Sequence, residues 1–175
     1  TEVPESTNPI LATFSALPSH LRTHLGPLLS ERLNEVELTD EARTAINAIT
    51  RSGTRTSETE LASARLELDG TRGEDARSTL SELSTGTSET AAAALLELLK
   101  DAEARDMPPN PVWVDDVPTL VRALEGTDVA AALNVAGLRG LIALGRFDQF
   151  RSDVAKDTPG VTPLVRRDLA LHALQ

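Results

Sequence analysis

The sequence predicts an all-α protein, an α-solenoid of antiparallel helix pairs, and three observations carry that prediction. The first is internal repetition. Thr56-Ser57-Glu58-Thr59 opens a Leu/Ala-rich segment that closes on Leu66-Glu67-Leu68; Thr87-Ser88-Glu89-Thr90, 31 positions later, opens another that closes on Leu96-Glu97-Leu98. Glu41-Ala42-Arg43 is echoed by Asp75-Ala76-Arg77 at a shift of 34, and a shift of 40 carries Thr79-Leu80, Gly86-Thr87 and Ala91-Ala92 onto Thr119-Leu120, Gly126-Thr127 and Ala131-Ala132. Repeats of this length are supersecondary units that bury their apolar faces only by stacking on a neighbour. The second observation is composition. Leu and Ala supply 50 of 175 residues, and Phe14, Trp113, Phe147 and Phe150 are the only aromatics. A core of aliphatic side chains and close alanine contacts suits helix against helix, whereas strands draw on alternating β-branched and aromatic residues. The third is period: the apolar positions recur at three- and four-residue spacing.

The elements follow in order. Residues 1–18 form a lead-in, polar around Pro4, with a short apolar segment from Asn8-Pro9 to Leu17 stopped by Pro18. An N-terminal helical stack occupies residues 19–106. Ser19 is the expected N-cap of a helix reaching Val36, with Leu21, Leu25, Leu28, Leu29 and Leu33 on one face and a kink or break at Gly26-Pro27. Thr39 is the expected cap of the next helix, whose Ala42, Ala45, Ile46 and Ile49 follow the i, i+3, i+4, i+7 pattern up to Ser52-Gly53. Ser57 and Glu60 have capping-box spacing ahead of Leu61, Ala64 and Leu68. A second pair runs from about Glu74 to Leu83 and from Ser88 to about Arg105, with Ala91 to Ala94 suited to a close neighbour.

Met107-Pro108-Pro109-Asn110-Pro111 halts the helical pattern, because proline lacks the amide hydrogen that a helix interior needs. Residues 107–116 are therefore read as a Pro-rich seam between two stacks. The C-terminal stack, residues 117–175, starts a helix near Asp116 and Pro118, turns at Gly126-Thr127-Asp128 into a long helix containing Gly137 and Gly140, and ends that helix at Gly145 as a C-cap. A last pair spans about Phe147 to Lys156 and Thr162-Pro163 to Leu174.

Val117-Pro118-Thr119-Leu120-Val121-Arg122-Ala123-Leu124, a Gly-Thr-Asp turn, then Leu138-Arg139 and Ala143-Leu144-Gly145 together resemble a HEAT-type repeat. Arg139, Ala143 and Leu144 recur as Arg166, Ala170 and Leu171 at a shift of 27. The resemblance runs over residues 117–174 and loosely over 39–105. It implies stacked helix pairs of the HEAT-like α-solenoid kind.

Charge and composition bound the function. Acidic residues outnumber Lys and Arg by 27 to 17, and 15 of those 17 cations are arginine. A high-salt cytoplasm and a GC-rich genome both produce this bias, and the sequence does not separate them. A net charge of −10 opposes broad nucleic-acid or anionic-membrane binding, which need clustered basic residues. The chain has no cysteine, which removes disulfides, thiolate metal sites and thiol chemistry together. The opening residues lack the basic and apolar regions of a secretory signal, and no apolar run approaches the roughly 18 residues of a membrane span. The expectation is a cytoplasmic protein that engages no membrane.

Candidate chemistry is sparse. His20 and His24 have the i, i+4 spacing of a metal pair, but lack the intervening Glu and a third ligand; a solvated helix face is the better reading, and His172 reads as packing. Asp115-Asp116 and Asp153/Asp157 are paired carboxylates without a cleft to separate their acidities. Gly137 and Gly140 sit in a helical pattern, so close helix approach explains them better than a phosphate loop. No catalytic, metal or cofactor site is assigned. The residues singled out for a partner are Trp113, Arg139, Arg166 and Arg167. Arg139 and Arg166 either form a small ladder for carboxylates or phosphates, or tie the stack internally to Asp128, Asp153, Asp157 and Asp168. Trp113, on the seam with Val112 and Val114, either plugs the joint or stands out as an interface anchor. The function expected is a non-enzymatic scaffold for another protein; the alternatives are a structural subunit of a larger assembly, such as a capsid or multiprotein complex, and a nucleic-acid-associated subunit using the C-terminal arginines.

Overall fold

The computed structural model describes residues 9–51, 55–156 and 159–174, and the regular elements among them are all α-helices. They are α1 (Pro9–Ala16), α2 (Ser19–Glu35), α3 (Thr39–Thr50), α4 (Ser57–Glu67), α5 (Gly73–Leu83), α6 (Glu89–Ala104), α7 (Pro111–Ala123), α8 (Asp128–Ala143), α9 (Phe147–Val154) and α10 (Pro163–His172). The chain divides within α5 into two compact units, the first reaching Thr79 and the second starting at Leu80. The expected lead-in over residues 1–8, the stop at Ser52-Gly53 and Asp157 lie outside the described residues.

Turn chemistry recurs along the chain. Thr56, Ser88, Thr127 and Thr162 each sit in extended conformation at the N-cap of α4, α6, α8 and α10. Each hydroxyl oxygen accepts from the amide three residues on, those of Thr59, Ala91, Ala130 and Val165, at 3.1 to 3.3 Å. The bond satisfies one of the four amides that a helix start leaves without a partner. Gly86, Gly126 and Gly160 precede the last three caps with φ of 102°, 89° and 79°, a left-handed backbone that side chains resist. The capping box of α4 joins Thr56 to Thr59 rather than Ser57 to Glu60: the Thr56 amide donates to Thr59 Oγ1 at 2.9 Å while the Thr59 amide donates to Thr56 Oγ1. Ser19 and Thr39 are also not caps. Each is the first residue of its helix, behind Pro18 and Leu38, which offer no side-chain acceptor.

The helix ends show a second device. After α2, α6 and α8 the chain closes by paired bonds, Glu37 to Asn34 with Leu38 to Leu33, Asp106 to Glu103 with Met107 to Ala102, and Gly145 to Ile142 with Arg146 to Leu141. This is the Schellman arrangement, in which the residue after the cap turns left-handed. Gly145 fills that role as its sequence suggested, at φ 69°, but Glu37 (64°) and Asp106 (53°) do so with side chains.

The first unit buries Leu11 and Phe14 of α1, Leu33 of α2, Ala42, Ala45, Ile46 and Ile49 of α3, and Ala62 and Leu66 of α4 in one cluster. Three helices converge on Gly26, where an added Cβ would collide with Ile49 and lie 3.2 Å from Phe14. Neither Gly26 nor Pro27 breaks α2, which is helical through both to Glu35.

In the second unit α8 is the hub, packed against α6, α7, α9 and α10. Its core joins Leu95 and Leu99 of α6, Val114, Val117 and Leu120 of α7, Leu133, Leu138 and Leu141 of α8, Phe150 of α9 and Leu169 of α10. The glycines of α8 set the spacing, as close helix approach required: a Cβ on Gly137 would lie 2.7 Å from Val117 Cγ1, and one on Gly140 2.8 Å from Val114 Cγ2. Pro111 does not end a helix here; it starts α7. Asn110 caps that helix, its Oδ1 accepting from the Val112 amide at 3.0 Å, and Pro111 stands in the first turn, where its missing amide costs nothing. Val112, Trp113 and Val114 therefore belong to α7 and not to an irregular segment, and the helix starts five residues before Asp116.

Two predictions follow from these contacts. Gly137→Ala is destabilising by about 1–2 kcal/mol, because Val117 is stiff at χ1 and overpacking outweighs the gain in helix propensity of about 1 kcal/mol. Urea denaturation of the double-mutant cycle with Val117→Ala checks it, and additivity of the two changes refutes it. Glu37→Gly stabilises by about 0.5–1 kcal/mol by relieving the left-handed strain, and an unchanged or lowered melting temperature would sink that expectation.

Candidate interaction surfaces

The first unit carries an apolar groove between α1 and α2. The leucines expected on one face of α2 divide between two adjacent lines. Leu33 is buried and Leu29 half-buried, both against the core, while Leu21, Leu25 and Leu28, at i, i+4 and i+7, lie along a line open to solvent. Leu28 is 59% exposed, Leu25 44% and Ile10 of α1 54%. With Phe14 and Leu17 these residues line an open groove of about 590 Å³, whose polar lining is Thr13 and Arg32. Arg32 Nη1 donates to Glu35 Oε2 at 2.7 Å. That bond, with the charge of Glu35, raises the guanidinium above its ordinary pKa, and the pair leaves the groove edge without net charge at Arg32.

The second unit exposes an apolar line on α10. Leu169 is buried and Val165 and Ala173 half-buried on the side facing the core. Opposite them, at i, i+3 and i+7, stand Leu164, Arg167 and Leu171, and Leu174 follows just past the helix; the three leucines are 65%, 56% and 84% exposed.

Two further concavities lie in this unit. One, of about 450 Å³, opens between α6 and α8 beside Pro109, with Glu103, Asp106, Arg139 and His172 in its lining. The other, of about 310 Å³, has a floor of Val117, Val121, Leu138 and Leu141 under a rim that includes Arg122, Glu125, Asp153 and Lys156. Charges of both signs line each, and Lys156 is paired with Asp153 at 2.6 Å.

The residues singled out from the sequence are dispersed. Arg139 Nη1 donates to both oxygens of Glu103, at 3.1 and 3.3 Å, tying α8 to α6; among the described residues it pairs with none of Asp128, Asp153 and Asp168. Arg166 is exposed and has no ion pair among the described residues. Arg167 meets only its neighbour Asp168, at 3.4 Å with both largely exposed. Trp113, on α7, is half-buried and packs against the core cluster of the second unit. Asp115 accepts from Arg146 at 2.5 Å. His20 and His24 are exposed on α2, His172 on α10, and no group of three candidate metal ligands occurs among the described residues. No helix among the described residues is long and apolar enough to cross a membrane.

Sequence reasoning missed both exposed leucine lines. The signal was there in the width of the pattern: leucines at 21, 25, 28, 29 and 33 cover more of a helix than one neighbour can bury. Compared with known proteins, the chain matches no family model, no curated protein and no solved structure.

Trp113→Ala is expected to cost about 2–4 kcal/mol, toward the lower part of the range for large aromatics because the ring is only half-buried. Chemical denaturation of parent and variant followed by far-ultraviolet circular dichroism checks it, since the variant has no tryptophan; a loss below about 1 kcal/mol would mean the indole contributes little packing.

Proposed function

We propose that this chain is a non-enzymatic scaffold, a HEAT-like helical repeat that holds a protein partner in the α1–α2 groove. The observation that carries the reading is the uncovered leucine line of α2 beside Ile10 and Phe14. Contiguous apolar surface is costly to leave in water and marks places where another macromolecule docks. An open groove lined almost wholly by apolar side chains suits an amphipathic helix laid lengthwise. The repeated pairing of a hydroxyl cap with a left-handed glycine one or two residues before it supports the helical-repeat architecture, because that pairing recurs at Ser88, Thr127 and Thr162.

A second reading, a structural subunit of a larger assembly, draws on the uncovered line of α10, since assemblies need more than one contact face. The net charge of −10 weighs against nucleic acid as the partner.

The scaffold reading is tested by capturing the partner from the native host, purifying it and measuring binary affinity. Leu25→Asp with Leu28→Asp is expected to weaken binding by about tenfold or more, equal to about 1.4 kcal/mol. Both side chains are exposed, so the melting temperature should change little. A partner that binds the variant as tightly as the parent protein would show that the groove is not its site.

A further inference from the structure

We infer that the slot between α7, α8 and α9 in the second unit binds a free aliphatic α-amino acid, a zwitterion with a short apolar side chain. The α1–α2 groove belongs to the other unit, so this goes beyond the scaffold reading and does not rest on it.

The slot is built from one stripe of each helix. α8 packs against both α7 and α9, and it lines the slot with Asn134, Gly137, Leu138 and Leu141, at i, i+3, i+4 and i+7. Residues at that spacing share one face of a helix. Leu138 and Leu141, with Val114 and Val117 of α7, are each at most 4% exposed, yet they border a cavity of about 310 Å³. Apolar side chains beside a cavity forgo dispersion contacts that an apolar ligand group restores.

Polarity changes along the slot. Gly137 lies against Val117 and Gly140 against Val114, so α7 and α8 run antiparallel and their linings change together. Val114, Val117 and Val121 give way to Arg122 and Glu125 as Leu141 and Leu138 give way to Asn134. α9 adds Gln149, without charge, and Asp153 with Lys156, which neutralise one another at 2.6 Å. Asn134 Nδ2 donates to the Pro159 carbonyl at 2.8 Å and fixes that residue at the polar end. A mostly apolar cavity with a few polar groups gathered at one end is the composition of a small-molecule site.

The charges choose the head of the ligand. Elsewhere the chain pairs a cation with an acid three residues away, as in Arg32–Glu35, Arg77–Glu74 and Lys100–Glu97. Arg122 and Glu125 have the same spacing, and neither forms an ion pair among the described residues. A ligand with only a carboxylate would meet Glu125, and one with only an ammonium would meet Arg122. A head carrying both groups satisfies both residues, with bidentate geometry available at the guanidinium. Volume sets the rest. At about 30 Å³ per water-sized group the cavity holds about ten non-hydrogen atoms, the scale of leucine or valine.

The test is calorimetric titration of the whole chain with L-leucine and three truncated probes: 4-methylpentanoate without the ammonium, isoamylamine without the carboxylate, and glycine without the side chain. Leucine should bind with a dissociation constant between about 1 μM and 1 mM, and at least about tenfold tighter than each probe. Arg122→Gln should weaken leucine by about tenfold or more without weakening isoamylamine. Glu125→Gln should weaken leucine similarly without weakening 4-methylpentanoate. Both positions are exposed, so circular dichroism should show both variants folded as the parent protein.

Absence of binding at about 10 mM leucine overturns the inference, as does glycine or 4-methylpentanoate binding as tightly as leucine. Leucine affinity unchanged in both variants overturns it by placing the ligand elsewhere. Sedimentation showing a dimer that Arg122→Gln dissociates would assign the slot to a second copy and overturn it too. None of these outcomes touches the α1–α2 groove, whose reading stands or falls on the Leu25 and Leu28 variants.

Discussion

Close approach of helix backbones at small residues is the constraint on which this structure depends. Gly26 admits Ile49 and Phe14, Gly137 admits Val117, and Gly140 admits Val114 with Pro109 and Leu99 nearby. At each point a Cβ would occupy space a neighbour already fills. The alanines extend the principle: Ala42 and Ala45 of α3 and Ala91, Ala92 and Ala94 of α6 are fully buried. One alanine buries little area, so its contribution to the hydrophobic term is small. Its value is that it lets backbones near one another, so that the leucines, isoleucines and valines flanking each crossing interdigitate and gain dispersion contacts. A protein with four aromatic side chains reaches a close-packed interior by that route.

Local and tertiary order reinforce one another in the connections. A hydroxyl cap fixes where the second helix of a pair starts, and the left-handed glycine before it reverses the chain without side-chain strain. With start and reversal both specified, the apolar face of the following helix arrives in register with the helices it must meet. Consistency of this kind, in which turn residue, cap and apolar period give the same answer, separates one fold from its competitors.

That consistency also explains what was legible in the sequence. Helix identity was, because the three- and four-residue spacing of Leu and Ala has no rival interpretation; the close-approach role of Gly137 and Gly140 was as well, from their place in a helical pattern. The cap positions around Ser19, Thr39 and Ser57 were not, because adjacent hydroxyls and backbone-only starts satisfy the same sequence pattern and only tertiary placement chooses among them. The start of α7 was misjudged for a related reason. Proline is disfavoured in a helix interior, though α2 and α7 hold Pro27 and Pro118 there, and favoured in the first turn; Asn110 supplies the cap that places Pro111 in the second role. The width of the α2 leucine pattern signalled surplus apolar surface, but not which leucines stay uncovered, because a leucine at helical spacing reads as core wherever it falls. Only the fold tells that Leu28 and Leu171 face water while Leu33 and Leu169 do not.

The hub position of α8 has a dynamic consequence. With α6 and α7 on it as well as α9 and α10, α8 retains cover when either of the last two helices loosens. Local openings at the C-terminal end can therefore occur at a fraction of the global unfolding free energy. A helix that frays while its support persists can rearrange its outer line without exposing the interior, so that end of the chain can adjust its surface on a timescale independent of unfolding of the core.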